Sequence, residues 1–121
     1  MRPCKMTLKA IMDIQKDFDR RHAGRTEFYV EITDENIRDL EHLLVCLMGE
    51  VGEISNIAKK IVRGDRKMKL SNAKVRAHAA EEVTDVFIYL IKICNQLGID
   101  IEAEYVKKLQ VNKRRFKSFK R

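Results

Sequence analysis

A chain of 121 residues with a formal net charge of +7 is the size of one domain, long enough for a modest core. Its 45% hydrophobic and 36% charged residues exclude a disordered chain and fit a charge-rich helical one. The longest wholly apolar run, VFIYLI, falls far short of the roughly 20 residues that cross a bilayer.

One proline and five glycines leave few breaks, so long elements are expected. The opening MRPCKMTLKAIM lacks the apolar stretch of a secretion signal. Cys4, Cys46 and Cys94 form an odd set without metal-ligand spacing. Reduced, structural cysteines in a cytoplasmic protein without a membrane partner are therefore expected.

A first helix is predicted from Thr7 to about His22, with Leu8, Ile11, Met12, Ile14 and Phe18 at helical spacing and Gly24 as its stop. The aromatic loop AGRTEFYVEIT follows and has room for a short extended piece. Thr33 is placed to cap a long helix that ends near Arg63, before Gly64. Ser71 caps a third helix reaching Leu97, and Asp100 caps a fourth that fades into a basic tail. No repeat or linker interrupts the series, so an all-α antiparallel bundle is the expected architecture.

The charge is uneven. The basic tail KRRFKSFKR, residues 113–121, holds six Lys or Arg and no acid, which leaves +1 (7 − 6) for the rest of the chain. A second cluster, KKIVRGDRKMK, sets six basic residues against Asp65. Two basic patches on a nearly neutral body point to local anion binding, and nucleic acid is not an expected partner.

The decisive feature is acidic. On the second helix Leu43, Leu47, Glu50, Ile54, Ile57 and Ile61 step by four and three, the inward stripe of a packed helix. Glu50 takes one of its places and Glu53 lies one turn on. On the third helix Val75, Ala79, Glu82, Val86, Tyr89 and Ile93 repeat the pattern, with Asp85 flanking it. Carboxylates at interior places need a positive partner.

If the two helices form a hairpin, distance from the turn sets the level. Glu53 lies 11 residues before Gly64 and Glu82 lies 11 beyond Ser71 (64 − 53, 82 − 71), while Glu50 and Asp85 are each 14 away (64 − 50, 85 − 71). At about 1.5 Å per residue both acid pairs fall at one height. Four facing carboxylates suit a hard cation, Mg²⁺ first and Mn²⁺ next. No pair of Glu-x-x-His motifs is present, which speaks against a di-iron bundle, and His78 is not expected to be a ligand. Mg²⁺ held by carboxylates commonly also binds substrate phosphates, which gives the basic clusters a purpose. On the fourth helix Asn112 interrupts the apolar stripe Ile101, Tyr105, Leu109, Phe116 and Phe119. A buried Asn needs hydrogen-bond partners, which a nucleobase or ribose would supply.

GEVGE (49–53), EEVTDVFIYL (81–90) and KLQVNKRRF (108–116) together resemble the all-α nucleoside triphosphate pyrophosphatases, MazG-like and dCTP pyrophosphatase-like. The resemblance implies that residues 1–121 are a single MazG-like nucleotide pyrophosphohydrolase domain, completed by assembly into a homodimer or homotetramer. It implies a Mg²⁺-dependent enzyme, with Mn²⁺ as the alternative, that hydrolyses the α–β bond of a nucleoside triphosphate to monophosphate and pyrophosphate, in nucleotide-pool cleansing. Its metal ligands fall on Glu50, Glu53, Glu82 and Asp85, with Glu50 or Glu53 as general base. Its substrate contacts fall on Tyr89, Lys108 and Asn112, and Lys60, Arg63 and Arg115 are further candidates to hold phosphate. Related enzymes stack the base on tryptophan. This chain has no Trp, and Phe28 or Tyr29 is the substitute. The competing readings are phosphoribosyl-ATP pyrophosphatase and a non-enzymatic helical protein that binds a partner or nucleic acid.

Overall fold

The computed structural model describes residues 5–121, so Cys4 lies outside the described residues. The fold is all-α, with four helices and no strand among the described residues: α1 (Leu8–Arg20), α2 (Ile37–Arg63), α3 (Ala73–Leu97) and α4 (Ile101–Arg115). A single bridge between Ala23 and Glu27 closes the loop after α1. No helix of the described residues is long and apolar enough to cross a membrane.

Most starts and stops follow the capping chemistry. Thr7 accepts the Ala10 N–H at 3.1 Å and starts α1. Asp100 accepts the Ala103 N–H at 3.1 Å and starts α4. Thr33 heads a 3₁₀ turn, Asp34–Asn36, in which the Thr33 N–H donates to Asn36 Oδ1 at 2.6 Å and the Glu35 N–H donates to Thr33 Oγ1 at 3.3 Å. This reciprocal cap feeds directly into α2. Gly64, at φ 80°, ends α2 in the left-handed conformation that glycine adopts without a Cβ penalty. One cap differs from expectation. Asn72, not Ser71, accepts the N–H groups of Lys74 at 3.0 Å and Val75 at 3.2 Å, because its longer side chain reaches the first free donors of α3. The stop of α1 also differs: Arg21 closes the helix, three residues before Gly24.

The chain divides into two compact units, residues 32–93 and residues 1–31 with 94–121. In the first, α2 and most of α3 form an antiparallel hairpin. The two stripes read from the sequence line it: Leu43 and Ile57 are buried, and Leu47, Ile54, Ile61, Val75, Ala79, Val86 and Ile93 are half-buried. Burying such aliphatic side chains contributes about 1.5–3 kcal/mol each when complete.

In the second unit, which also contains α4, amides of the last turn of α3 tie α1 and the loop that follows it. Buried Gln96 donates to the Phe28 carbonyl at 3.0 Å and accepts the Val30 N–H at 3.4 Å. Asn95 donates to the Met12 carbonyl at 3.0 Å. These bonds fix an otherwise irregular loop by supplying its backbone groups with partners.

Candidate metal centre

The hairpin brings three of the four expected carboxylates together. One ligand oxygen each from Glu50 on α2 and from Glu82 and Asp85 on α3 lie within 4.8 Å of one another, and all three residues are half-buried. The cause is the register. Helices that leave a common turn with the same rise per residue place residues of equal count opposite each other. Cys46 and Tyr89, each 18 residues from the turn (64 − 46, 89 − 71), also meet, one level further along.

Glu53 is the exception. It is exposed on the turn beyond Glu50 and stands outside the close group, although its charge still acts on Glu50. A step of three residues turns a helix by about 300°, which leaves Glu53 about 60° round the helix from Glu50, on its exposed side. On α3 the same step leaves both Glu82 and Asp85 half-buried beside Glu50.

Electrostatics disfavour the charged form of Glu50 in this group. Loss of hydration, then the charges of Asp85, Glu82 and Glu53, push Glu50 above the ordinary carboxylate range. Among the described residues no lysine or arginine forms an ion pair with Glu50, Glu82 or Asp85. His78 Nε2 lies 3.0 Å from the Glu82 carboxylate, and Glu82 also shares a hydrogen bond with Glu50. Three clustered oxygens of negative charge are the donor set of a hard divalent cation, so the residues fit such an ion.

Tyr89 stands beside this group. Its burial, the neighbouring Cys46 thiol, and then the charges of Glu50 and Asp85 raise its pKa. Cys46 in turn lies 3.6 Å from His42 Nε2. The sequence signal for these neighbours is their i, i+4 spacing, His42–Cys46–Glu50 on α2 and His78–Glu82 on α3. That spacing alone does not separate a surface pair from one beside a site.

The expected phosphate contacts fall in different surroundings. Lys60 is half-buried on α2. Arg63 donates through Nε to Asp65 at 2.7 Å and through a second nitrogen to the other oxygen. The pair holds Asp65 below the usual carboxylate range, with help from Lys60, Lys59 and Arg66. Arg63 is thus engaged across the turn. Lys108, Asn112 and Arg115 all lie on α4, in the other unit. Asn112 is half-buried and the other two are exposed. The two candidate base-stacking rings also differ. Phe28 continues a stack in which His22 lies on Phe18 at 4.0 Å and on Phe28 at 6.1 Å. Tyr29 is covered by Lys16 at 5.4 Å and Arg20 at 4.9 Å.

An all-α fold with opposed E-x-x-E and E-x-x-D helices is what the resemblance to MazG-like nucleoside triphosphate pyrophosphatases leads one to expect. Known proteins bear that resemblance out. Over 101 residues, 84% of its length, the chain is 31% identical to dCTP pyrophosphatase 1 of Homo sapiens. It is 30% identical over the same span to the proteins of that name from Rattus norvegicus and Mus musculus. The chain spans 58% of the length of these relatives. No family model matches it.

Proposed function

We propose that the chain is a divalent-metal-dependent nucleoside triphosphate pyrophosphatase that cleaves the α–β phosphate bond. The observation that carries this reading is the group of Glu50, Glu82 and Asp85 oxygens within 4.8 Å, in a chain whose relatives are dCTP pyrophosphatases. The identity of the metal as Mg²⁺ rests on the all-carboxylate donor set, with Mn²⁺ the second choice.

In this reading Glu50, Glu82 and Asp85 hold the metal, with Glu53 as a fourth carboxylate at its edge. The bound cation supplies charge neutralisation of the triphosphate and orientation of water. Glu53, exposed and outside the close group, takes the proton from the attacking water, and Glu50 is the alternative base. His78 orients the Glu82 carboxylate through its 3.0 Å contact. Tyr89 borders the acids and offers a hydroxyl to the sugar. Lys60, Lys108, Asn112 and Arg115 are proposed as contacts to phosphate or nucleoside, and Arg63 as a phosphate contact that must first leave Asp65. Exposed apolar side chains such as Val45 (65% exposed), Val62 (88%) and Tyr105 (63%) support assembly into a homodimer or homotetramer. A cytoplasmic role in clearing nucleotide pools completes the proposal.

The test is incubation with the common ribo- and deoxyribonucleoside triphosphates, with Mg²⁺ or with EDTA, and chromatographic identification of products. Monophosphate and pyrophosphate, lost in EDTA, are expected. Release of diphosphate and phosphate, or no turnover of any nucleotide, would overturn the reading.

A further inference from the structure

The basic segment 113–121 is not a loose charged strand. α4 runs to Arg115, the Phe116 N–H donates to the Asn112 carbonyl at 2.8 Å, and residues 117–119 form a closing 3₁₀ turn in which the Phe119 N–H donates to the Phe116 carbonyl at 2.9 Å. This ordered end displays two phenylalanines edge to face, with ring centroids 6.0 Å apart. Phe116 is 47% exposed and Phe119 is 77% exposed. Arg115 lies over the Phe116 ring at 5.0 Å.

Six cations and no acid surround those rings within nine residues. Lys113, Arg114 and Arg115 are consecutive, so their side chains leave the helix about 100° apart and encircle it. A membrane-surface helix needs its cations on one side and a continuous apolar face on the other. Here the cations encircle one helix end and only two rings stand together beside them, which suits a flexible polyanion that wraps it. Exposed rings among phosphate-binding cations are also what unstacked bases require, and a duplex does not offer them. The nearly neutral remainder of the chain argues against a nucleic-acid-coating protein but leaves this local element intact.

We infer that residues 113–121 form a single-stranded nucleic-acid binding element, in which Phe116 and Phe119 stack on bases and the surrounding lysines and arginines contact phosphates. The inference does not depend on the proposed hydrolysis.

It is tested by fluorescence anisotropy with a labelled oligothymidylate of about 20 nucleotides, long enough to cover a site of this kind. Engagement of five cations predicts roughly a 100-fold loss of affinity between about 50 and 200 mM salt. Lys117→Glu with Lys120→Glu and Arg121→Glu should lower the salt slope by about 2. Turnover of free triphosphate should be unchanged in that variant, which separates this element from the metal centre. Phe116→Ala with Phe119→Ala should weaken binding by roughly tenfold or more while keeping the slope. Three results would overturn the inference: no binding, a salt slope unaltered by charge reversal, or capture by phosphatidylserine vesicles that the oligonucleotide does not compete away. Loss of an oligomer on Phe119→Ala, seen by light scattering without loss of oligonucleotide affinity, would assign the rings to a protein contact and also overturn it.

Discussion

The two compact units treat polar groups at inward positions in opposite ways. In the unit of residues 1–31 and 94–121, the buried amide of Gln96 is satisfied at both ends by the loop backbone, and Asn95 binds the Met12 carbonyl. Such groups hold a loop in place. In the hairpin unit, Glu50, Glu82 and Asp85 lie together with like charge, and loss of hydration, followed by that proximity, raises the pKa of Glu50. A polar residue inside a fold is therefore not a functional sign by itself. The sign to test is a cluster of like charges on facing elements with a raised pKa, as at Glu50, Glu82 and Asp85.

The sharpest way to break this contrast is to remove one member from each side of it. Glu50→Ala or Glu82→Ala should reduce triphosphate hydrolysis by at least about 100-fold, the scale on which preorganised charge stabilisation is lost. Circular dichroism should show the fold intact, since each change also relieves repulsion. Retained turnover and retained metal binding would remove the site. Gln96→Ala should do the reverse. Loss of its two backbone partners costs about 1–3 kcal/mol of stability, read as a lower urea midpoint, while turnover per folded molecule stays within a small factor of the parent.

Much of this contrast was legible in the sequence. The four helices, their caps at Thr33 and Asp100, and the stop at Gly64 depend on local chemistry, and local chemistry is written in consecutive residues. The level of the acids was legible for a related reason: two helices leaving one turn share a rise per residue, so counting suffices. Rotation about the helix axis was harder to read. Glu53 matches Glu82 in height but sits on the exposed side, and a count along the axis carries no angular information. The partner His78 for Glu82 was likewise hidden, since whether an i, i+4 neighbour faces a site depends on the helix opposite. The engagement of Arg63 with Asp65 depends on the geometry of the turn, where Arg66 (φ 47°) and Lys67 (φ 55°) both adopt left-handed backbone.

The cap of α3 offers a smaller and cleaner test of how local chemistry divides from context. Asn72→Ala should cost about 1 kcal/mol by freeing the N–H groups of Lys74 and Val75. Ser71→Ala should change the unfolding midpoint very little. Equal effects at both positions would mean that the turn between α2 and α3 tolerates either cap.

The smallest expected effect bears most directly on why the acids are unfavourable alone. A carboxyl whose pKa is higher folded than unfolded adds stability that is fully present below its unfolded pKa and is lost as pH rises through the folded value. Glu50 is such a group. In EDTA, the parent protein should therefore lose stability relative to Glu50→Gln as pH climbs out of the acid range, and the gap should level off near neutrality. A modest rise in the melting temperature of Glu50→Gln at neutral pH, absent at acid pH, is the expected reading by thermal denaturation. Saturating Mg²⁺ should reverse the order, because only the parent retains the full set of anionic oxygens to gain from the ion. A gap that is the same at every pH would attribute it to packing at position 50. A gap that Mg²⁺ leaves unchanged would mean that the carboxylates repel one another without forming a cation site.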